Sequence, residues 1–473
     1  MPKEILLDFE TSGLSPAHDQ PLSVHVKVYD NDEMIDSLDL KCRSEKSRLP
    51  SPIAIYVNHL TPEDLTNNMP LRDMMKYLYE FIEKHQPGNI IAYNSKFDFN
   101  FSFNHYYQNL ITPNWYQWKY PNRVICALEV LRSIYIFKKQ MSYIQIPFDS
   151  FATPNFRLER VAYDNHINVK SHTASGDVDA MYKILCLMKE ESPHIYSQAI
   201  KSSTKKMARS ILLNEPFFCT TTGTGEDLQG RILVPIAYDP KGIDVICVDI
   251  GLVDTKYVSN ISSWEIFLMT SKYARDNWIV KIPLNKSKVF FGPEQFEFCN
   301  NPSNASVGEL LKRAKNISKK SHFTEACQEV FEFFDNLYKN NDRDSSIERA
   351  IFDGFCDSRE RDFINEFNGT PWIDRWGLAK SQTNLCASNR IVRLAKKTIL
   401  EYDSLLAPTS SQESFNRYCD RKLFNIHSKS EPPWTTINTA MYELSELNKQ
   451  YPDDIKRLKE IEKYFDWRTY PSL

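Results

Sequence analysis

The chain of 473 residues has no run close to the roughly 20 apolar residues that a membrane-spanning helix requires. Its opening, MPKEILLDFE, lacks the basic stretch and the apolar run of about 7–15 residues that mark a secretory signal. The ten cysteines include no CxxC pair, which argues against a zinc ribbon or a dithiol redox centre. Several lie inside apolar runs such as Ile246-Cys247-Val248, where a free thiol packs as a small hydrophobe. The expectation is a cytoplasmic protein with reduced thiols and no membrane contact, so the Asn-x-Ser triplets at Asn260, Asn304 and Asn316 carry no glycan. An excess of charge is also missing. With 58 Lys plus Arg against 61 Asp plus Glu, the net charge is −3, which excludes a polycationic binder and confines any nucleic-acid surface to a local patch. Glycine is scarce, at 13 residues, and there is no internal repeat or low-complexity tract. The one glycine-rich stretch, Gly223-Thr224-Gly225 with Gly230, lacks the Gly-Lys-Ser/Thr ending of a phosphate loop and runs into a strand pattern, so it reads as a turn.

What is present is a globular composition, 42% hydrophobic and 25% charged, with a large aromatic share that includes 24 Tyr and 28 Phe. The length suits two to four domains at roughly 100–200 residues each. Residues 1–197 alternate strand-like and helical patterns, the mark of an α/β domain: strands at Ile5–Phe9, Leu22–Tyr29 and Asn89–Tyr93, helices at Leu71–Lys84 and Asp177–Lys189. Residues 198–345 open with a basic stretch, Lys201–Arg209. They continue with paired strands, Arg231–Tyr238 and Ile243–Ile250, around the turn Asp239-Pro240-Lys241-Gly242, and end in helical material from Val307 to Lys339. This predicts a small β-rich domain. Residues 346–473 read as helical, with a Ser/Pro loop near Ala407–Ser414 and a closing hairpin, Thr436–Phe465, interrupted at Pro452.

Three segments carry chemistry. In Leu6-Leu7-Asp8-Phe9-Glu10-Thr11, acids two residues apart on a strand share one face, where they suit Mg²⁺ or Mn²⁺; alone, so common a pair reads more simply as two solvated acids on an edge strand. In Asn89-Ile90-Ile91-Ala92-Tyr93-Asn94-Ser95-Lys96-Phe97-Asp98, an acid follows the carboxyl end of a buried strand, a usual place for chemistry in α/β sheets and also for a helix cap. In His172-Thr173-Ala174-Ser175-Gly176-Asp177, a helix anchors Asp177 while His172 rides on the preceding loop. That arrangement suits a general base, or in isolation a surface His beside a capping Asp. Together, four carboxylates and one His fit a two-metal phosphodiesterase, with two Mg²⁺ flanking an in-line displacement and His172 deprotonating the attacking water.

At these residues the sequence resembles the DEDDh 3′→5′ exonuclease superfamily, whose domain has a ribonuclease-H-like fold. Asp8, Glu10, Asp98 and Asp177 fall on its four metal-site acids and His172 on its catalytic histidine. The runs Phe156-Arg157-Leu158-Glu159, Phe101-Ser102-Phe103-Asn104-His105-Tyr106-Tyr107 and Ile351-Phe352-Asp353-Gly354-Phe355 resemble those of the bacterial exonuclease I family, which degrades single-stranded DNA from its 3′ end. The resemblance spans nearly the whole chain. It implies an exonuclease domain, a small Src-homology-type β-barrel domain and an α-helical C-terminal domain. It also implies Mg²⁺ as cofactor with Mn²⁺ as substitute, release of 5′-mononucleotides in DNA repair or recombination, substrate contacts through Glu10 and Arg157, single-strand-binding protein as partner, and a monomer. The sequence departs from the family at Cys126, on the helix after the aromatic segment, where an acid is usual, and in the helical domain, where the basic stretch survives only as Arg390-Ile391-Val392-Arg393-Leu394-Ala395-Lys396-Lys397.

Single-strand binding needs cations for the backbone and rings for the bases. Basic clusters occur at Lys201, Lys205, Lys206 and Arg209, at Lys312, Arg313, Lys315, Lys319 and Lys320, and at Arg393, Lys396 and Lys397. Rings crowd Trp115-Tyr116-Gln117-Trp118-Lys119-Tyr120. Each of these also has an ordinary reading, as a solvated helix face or as core. Two other functions compete: an RNA-trimming enzyme of the same superfamily, against which the long extension past residue 197 weighs, and a non-catalytic single-strand-binding scaffold, which the loss of a metal-site acid would mark.

Overall fold

The structure, a computed structural model, describes residues 2–112, 122–138, 142–168, 173–253, 258, 261–271, 276–293, 303, 305–317, 321–339, 346–382, 389–425 and 432–469. The chain begins with strands β1 (Lys3–Thr11), β2 (Pro21–Asp30) and β3 (Glu33–Lys41), then short helices α1 (Pro52–Val57) and α2 (Pro62–Thr66). Helix α3 (Leu71–Lys84), strand β4 (Gly88–Ala92), helix α4 (Ser95–Gln108), strand β5 (Arg123–Cys126) and helices α5 (Ala127–Lys138), α6 (Leu158–Asp164) and α7 (Ala174–Glu191) follow. The five strands form one sheet in the order β3-β2-β1-β4-β5, with β1 antiparallel to β2 and parallel to β4.

β1 is central, so both of its faces are covered. Ile5, Leu7 and Phe9 pack with Met74, Met75, Leu78 and Ile82 of α3. Leu6 faces the opposite core, which contains Val178, Met181 and Leu185 of α7. Because a strand alternates faces, Asp8 and Glu10 lie on the Leu6 side, the side that α7 covers. β3 is the exposed edge strand, with Met34 and Ile35 in solvent.

Helices α8 (Pro193–Ser202) and α9 (Lys205–Asn214) lead into an antiparallel sheet of β6 (Phe218–Thr222), β7 (Gln229–Tyr238), β8 (Asp244–Asp249) and β9 (Ile279–Pro283), ordered β6-β7-β8-β9, with α10 (Ser263–Ser271) inserted before β9. The expected 197/198 seam therefore falls inside α8. At the turn between β7 and β8, Gly242 takes φ +62° and its N–H donates to Asp239 O (2.7 Å). The glycines at 223 and 225 also have positive φ, at a turn, as the sequence predicts. This sheet shares a core with the first: Phe137 meets Phe291 edge-on at 4.6 Å, and a Cβ on Gly230 would lie 2.7 Å from Ile136.

Helices α11 (Val307–Ile317) and α12 (Ser321–Lys339) precede a 3-10 turn, Ile347–Asp353, and then α13 (Ser358–Gly369), α14 (Trp372–Ser381), α15 (Arg390–Tyr402), α16 (Thr409–Leu423), α17 (Ile437–Gln450) and α18 (Ile455–Thr469). These helices grip the loop after β3. Glu401 accepts the N–H groups of Lys46 (2.7 Å) and Ser47 (3.1 Å), and Arg468 donates to the carbonyls of Lys46 and Arg48.

Three expectations change. Ala407–Ser414 is not a loop: α16 starts at Thr409, because Pro408 ends the preceding extended stretch and its carbonyl accepts the Ser411 N–H (2.8 Å). Cys126 ends β5 and is not on a helix, and its buried thiol faces Tyr93 O (3.4 Å). Lys397 is not a solvated cation, since it sits between Glu45 (3.3 Å) and Glu401 (3.7 Å). The eight described cysteines form no disulfide, and no described helix is long and apolar enough to cross a membrane.

Candidate active site

The carboxyl edge of the first sheet gathers the acids. Asp8 and Glu10 stand on the α7 face of β1, paired in register with His25 and Ser23 of β2. α7 starts where Thr173 caps it, its hydroxyl accepting the Gly176 N–H (3.2 Å), and this cap sets Asp177 in the first turn. Asp8, Glu10 and Asp177 thus bring carboxylate oxygens within 4.8 Å of one another.

Asp98 arrives by a different route. β4 pairs with β1 only from Lys3 to Leu6 and ends at Ala92, so the Phe9 N–H lies past the end of its neighbour strand. The Asp98 carboxylate takes that place, accepting the Phe9 N–H at 3.3 Å. It does so from the first turn of α4, buried to 3% exposure.

The electrostatics follow from crowding. Burial, then the charges of Asp98, Glu10 and Asp177, push Asp8 well above the usual carboxylate range. Burial, then Asp177 and Asp98, push Glu10 up to about 8. Burial lifts Asp98 to about 7 against the opposing pull of the Phe9 N–H. Among the described residues, no Lys or Arg forms an ion pair with Asp8, Glu10 or Asp98. Crowded oxygen ligands that repel one another, with Asp8, Glu10 and Asp98 in no ion pair, fit a hard divalent cation, the kind of ion carboxylates bind best.

Arg157 caps α6 and is exposed. Its guanidinium makes no ion pair with Glu159, two residues further along α6. The carbonyl of its neighbour Phe156 accepts the Tyr93 hydroxyl (2.6 Å), which ties the Arg157 loop to the segment leading from β4 to Asp98. His172 and the aromatic run Trp115–Tyr120 lie outside the described residues, as do Lys319 and Lys320 of the second basic cluster. Sequence reasoning passed over Lys96, two residues before Asp98, and Lys286, one of two lysines in the short segment after β9. Only the proximity of Lys96 to an acid already singled out could have drawn notice to either.

The exonuclease family RNase_T matches residues 5–185. The exodeoxyribonuclease I of Haemophilus influenzae is 28% identical over 385 residues, covering 77% of this chain and 80% of that protein. Among solved structures, E. coli exonuclease I in complex with an oligonucleotide superposes with a TM-score of 0.81 at 18% identity, over 99% of this chain and 100% of that one. An ExoI/SSB-Ct complex superposes with a TM-score of 0.80 at 18% identity, over 100% of this chain and 99% of the other. The fold is therefore that of exonuclease I over its full length, with an α/β exonuclease core and a helical remainder.

Proposed function

We infer that this chain, an exonuclease related to the bacterial exodeoxyribonuclease I enzymes, hydrolyses single-stranded DNA from the 3′ end and releases 5′-mononucleotides. The observation that carries the reading is the convergence of Asp8, Glu10 and Asp177 within 4.8 Å, with Asp98 locked beside them to the Phe9 N–H. In this reading the four acids hold divalent ions, Mg²⁺ with Mn²⁺ as substitute. A bound pair supplies Lewis-acid stabilisation of the attacking and leaving oxygens. β1 and the first turns of α4 and α7 fix the acids before substrate arrives, so no reorganisation accompanies the reaction. His172, two residues before α7 in the sequence, takes the proton of the attacking water. Arg157, exposed beside the Tyr93 segment, holds a phosphate of the strand.

Residues 1–197 are the catalytic part in this reading, 198–345 a small Src-homology-type barrel built on the four-stranded sheet, and 346–473 a helical part. The last two flank the strand. By its likeness to the ExoI/SSB-Ct complex, the chain takes the C-terminus of single-strand-binding protein as a partner. It acts as a monomer in the cytoplasm, in DNA repair or recombination.

The test is digestion of 5′-labelled single-stranded DNA, duplex DNA and RNA with Mg²⁺ or chelator. Shortening of the single-stranded DNA only with metal is expected. Unchanged activity in Asp8→Ala or Asp98→Ala would refute the assignment of the acids.

A further inference from the structure

The overall charge is near balance, yet three lysines converge where the first part of the chain meets the four-stranded sheet. Lys96 lies in the first turn of α4, two residues before Asp98, and Lys286 and Lys288 lie in the segment after β9. That segment is pinned along its length. The Leu284 N–H donates to Ile243 O (2.7 Å), and the Ser287 hydroxyl donates to Val124 O of β5 (3.1 Å). The Ser202 hydroxyl donates to Lys288 O (2.8 Å). Lys288 itself is committed to the protein, donating to Glu129 (2.7 Å) and to Thr221 O (3.1 Å).

Lys286, held between these tethers, is exposed, as is Lys96, and neither forms an ion pair among the described residues. β5 pairs with β4, which leads into Lys96, so the Ser287 tether brings Lys286 to the sheet edge where α4 begins. Burial, then the ammonium groups of Lys96 and Lys288, hold Lys286 below the usual lysine range against the pull of Asp244 and Glu129. A tethered loop that sets the unpaired cation of Lys286 near that of Lys96 suits a ligand of high negative charge density.

We propose that Lys96 and Lys286 together hold a phosphate of the single strand where it crosses from the carboxylate site onto the seam between the two sheets. The proposal rests on the nuclease reading above, which supplies the polyanion. The two lysines come from different parts of the chain, so the strand itself would bridge them. They act on binding and register, with no part in bond cleavage.

The experiment is fluorescence anisotropy of a 5′-labelled oligothymidylate with the full-length protein in chelator, across a salt series, paired with steady-state digestion in Mg²⁺. Each backbone contact to a single strand contributes about 0.7 to the slope of log affinity against log salt. Lys286→Ala and Lys96→Ala should each flatten the slope by about 0.7, and Lys286→Arg should restore it. KM for a long strand should rise in Lys286→Ala more than kcat falls. Lys459→Ala, an exposed cation on α18, should leave the slope unmoved. Slopes unchanged in both alanine variants, with wild-type binding intact, would overturn the lysine proposal alone. A fall in kcat at constant KM would also overturn it. Failure of the wild-type chain to bind or digest the strand would instead overturn the nuclease reading, and the proposal with it.

Discussion

Without a cation, the carboxylate cluster makes the fold sensitive to pH in an unusual direction. Glu10 binds its proton more tightly in the native chain, at about 8, than at its ordinary 4.5, because burial and the charges of Asp177 and Asp98 oppose ionisation. A raised native pKa gives stability that is full below the unfolded value and is lost as pH rises through the native one. From 4.5 to neutral pH, Glu10 alone withdraws on the order of 3 kcal/mol from the metal-free fold. Asp98, lifted to about 7, acts in the same direction. The assay is thermal unfolding in chelator across roughly pH 5 to 9, repeated with excess Mg²⁺ and with Glu10→Gln. In chelator, Tm should fall by several degrees between about pH 5 and about pH 8. Mg²⁺ at a hundred times its dissociation constant should return about 2.7 kcal/mol, with the larger effect at the alkaline end. Glu10→Gln should flatten the chelator profile, sit above wild type near pH 8, and be inactive. A wild-type profile flat over this range, or a Glu10→Gln profile as steep as wild type, would refute the argument from crowded acids.

His172→Ala should lower turnover by about 10²–10⁴-fold while leaving single-strand affinity in chelator unchanged, as single-turnover digestion beside anisotropy would show. Lys422→Met should destabilise the protein by roughly 3–5 kcal/mol in urea unfolding, because Glu348, whose side chain is 2% exposed, would lose its partner at 3.0 Å. Burial pushes Glu348 upward, but Lys422, Lys397 and Arg48 outweigh it and hold the carboxyl well below its usual range. Its contribution is therefore present above about pH 4.5 and is lost in acid, and the variant should narrow that loss. Gly230→Ala should cost about 1–3 kcal/mol by driving a methyl into Ile136 and Phe137, with catalysis unchanged at permissive temperature.

Much of the site was legible because strands alternate. The two-residue spacing of Asp8 and Glu10 fixes their shared face once β1 is recognised, and α7 announces itself through Val178, Met181, Leu185 and Met188. Buried strands with apolar runs, β2 and β4 among them, stood out for the same reason. β3 did not, because an exposed edge strand needs no apolar face and mixes Met34, Ile35 and Leu38 with Asp36 and Asp39. β5, four residues long, is too short for any period to show. The hold on Asp98 was invisible as well, since it depends on where β4 stops, a matter of tertiary register. The seam lysines are a purely spatial coincidence, drawn from positions 96 and 286.

The core shared by the two sheets bears on how this molecule can be taken apart. A fragment ending at residue 197 would stop within α8 and uncover Phe137 and Ile136, whose partners are Phe291, bridged to Cys219 of β6, and Gly230 of β7. The four clustered acids would remain in such a piece, but its wall would be greasy and wet. Transplanting the nuclease therefore means carrying the neighbouring sheet along, so that the smallest movable unit is set by where the aromatic rings interlock and is larger than the stretch that holds the chemistry.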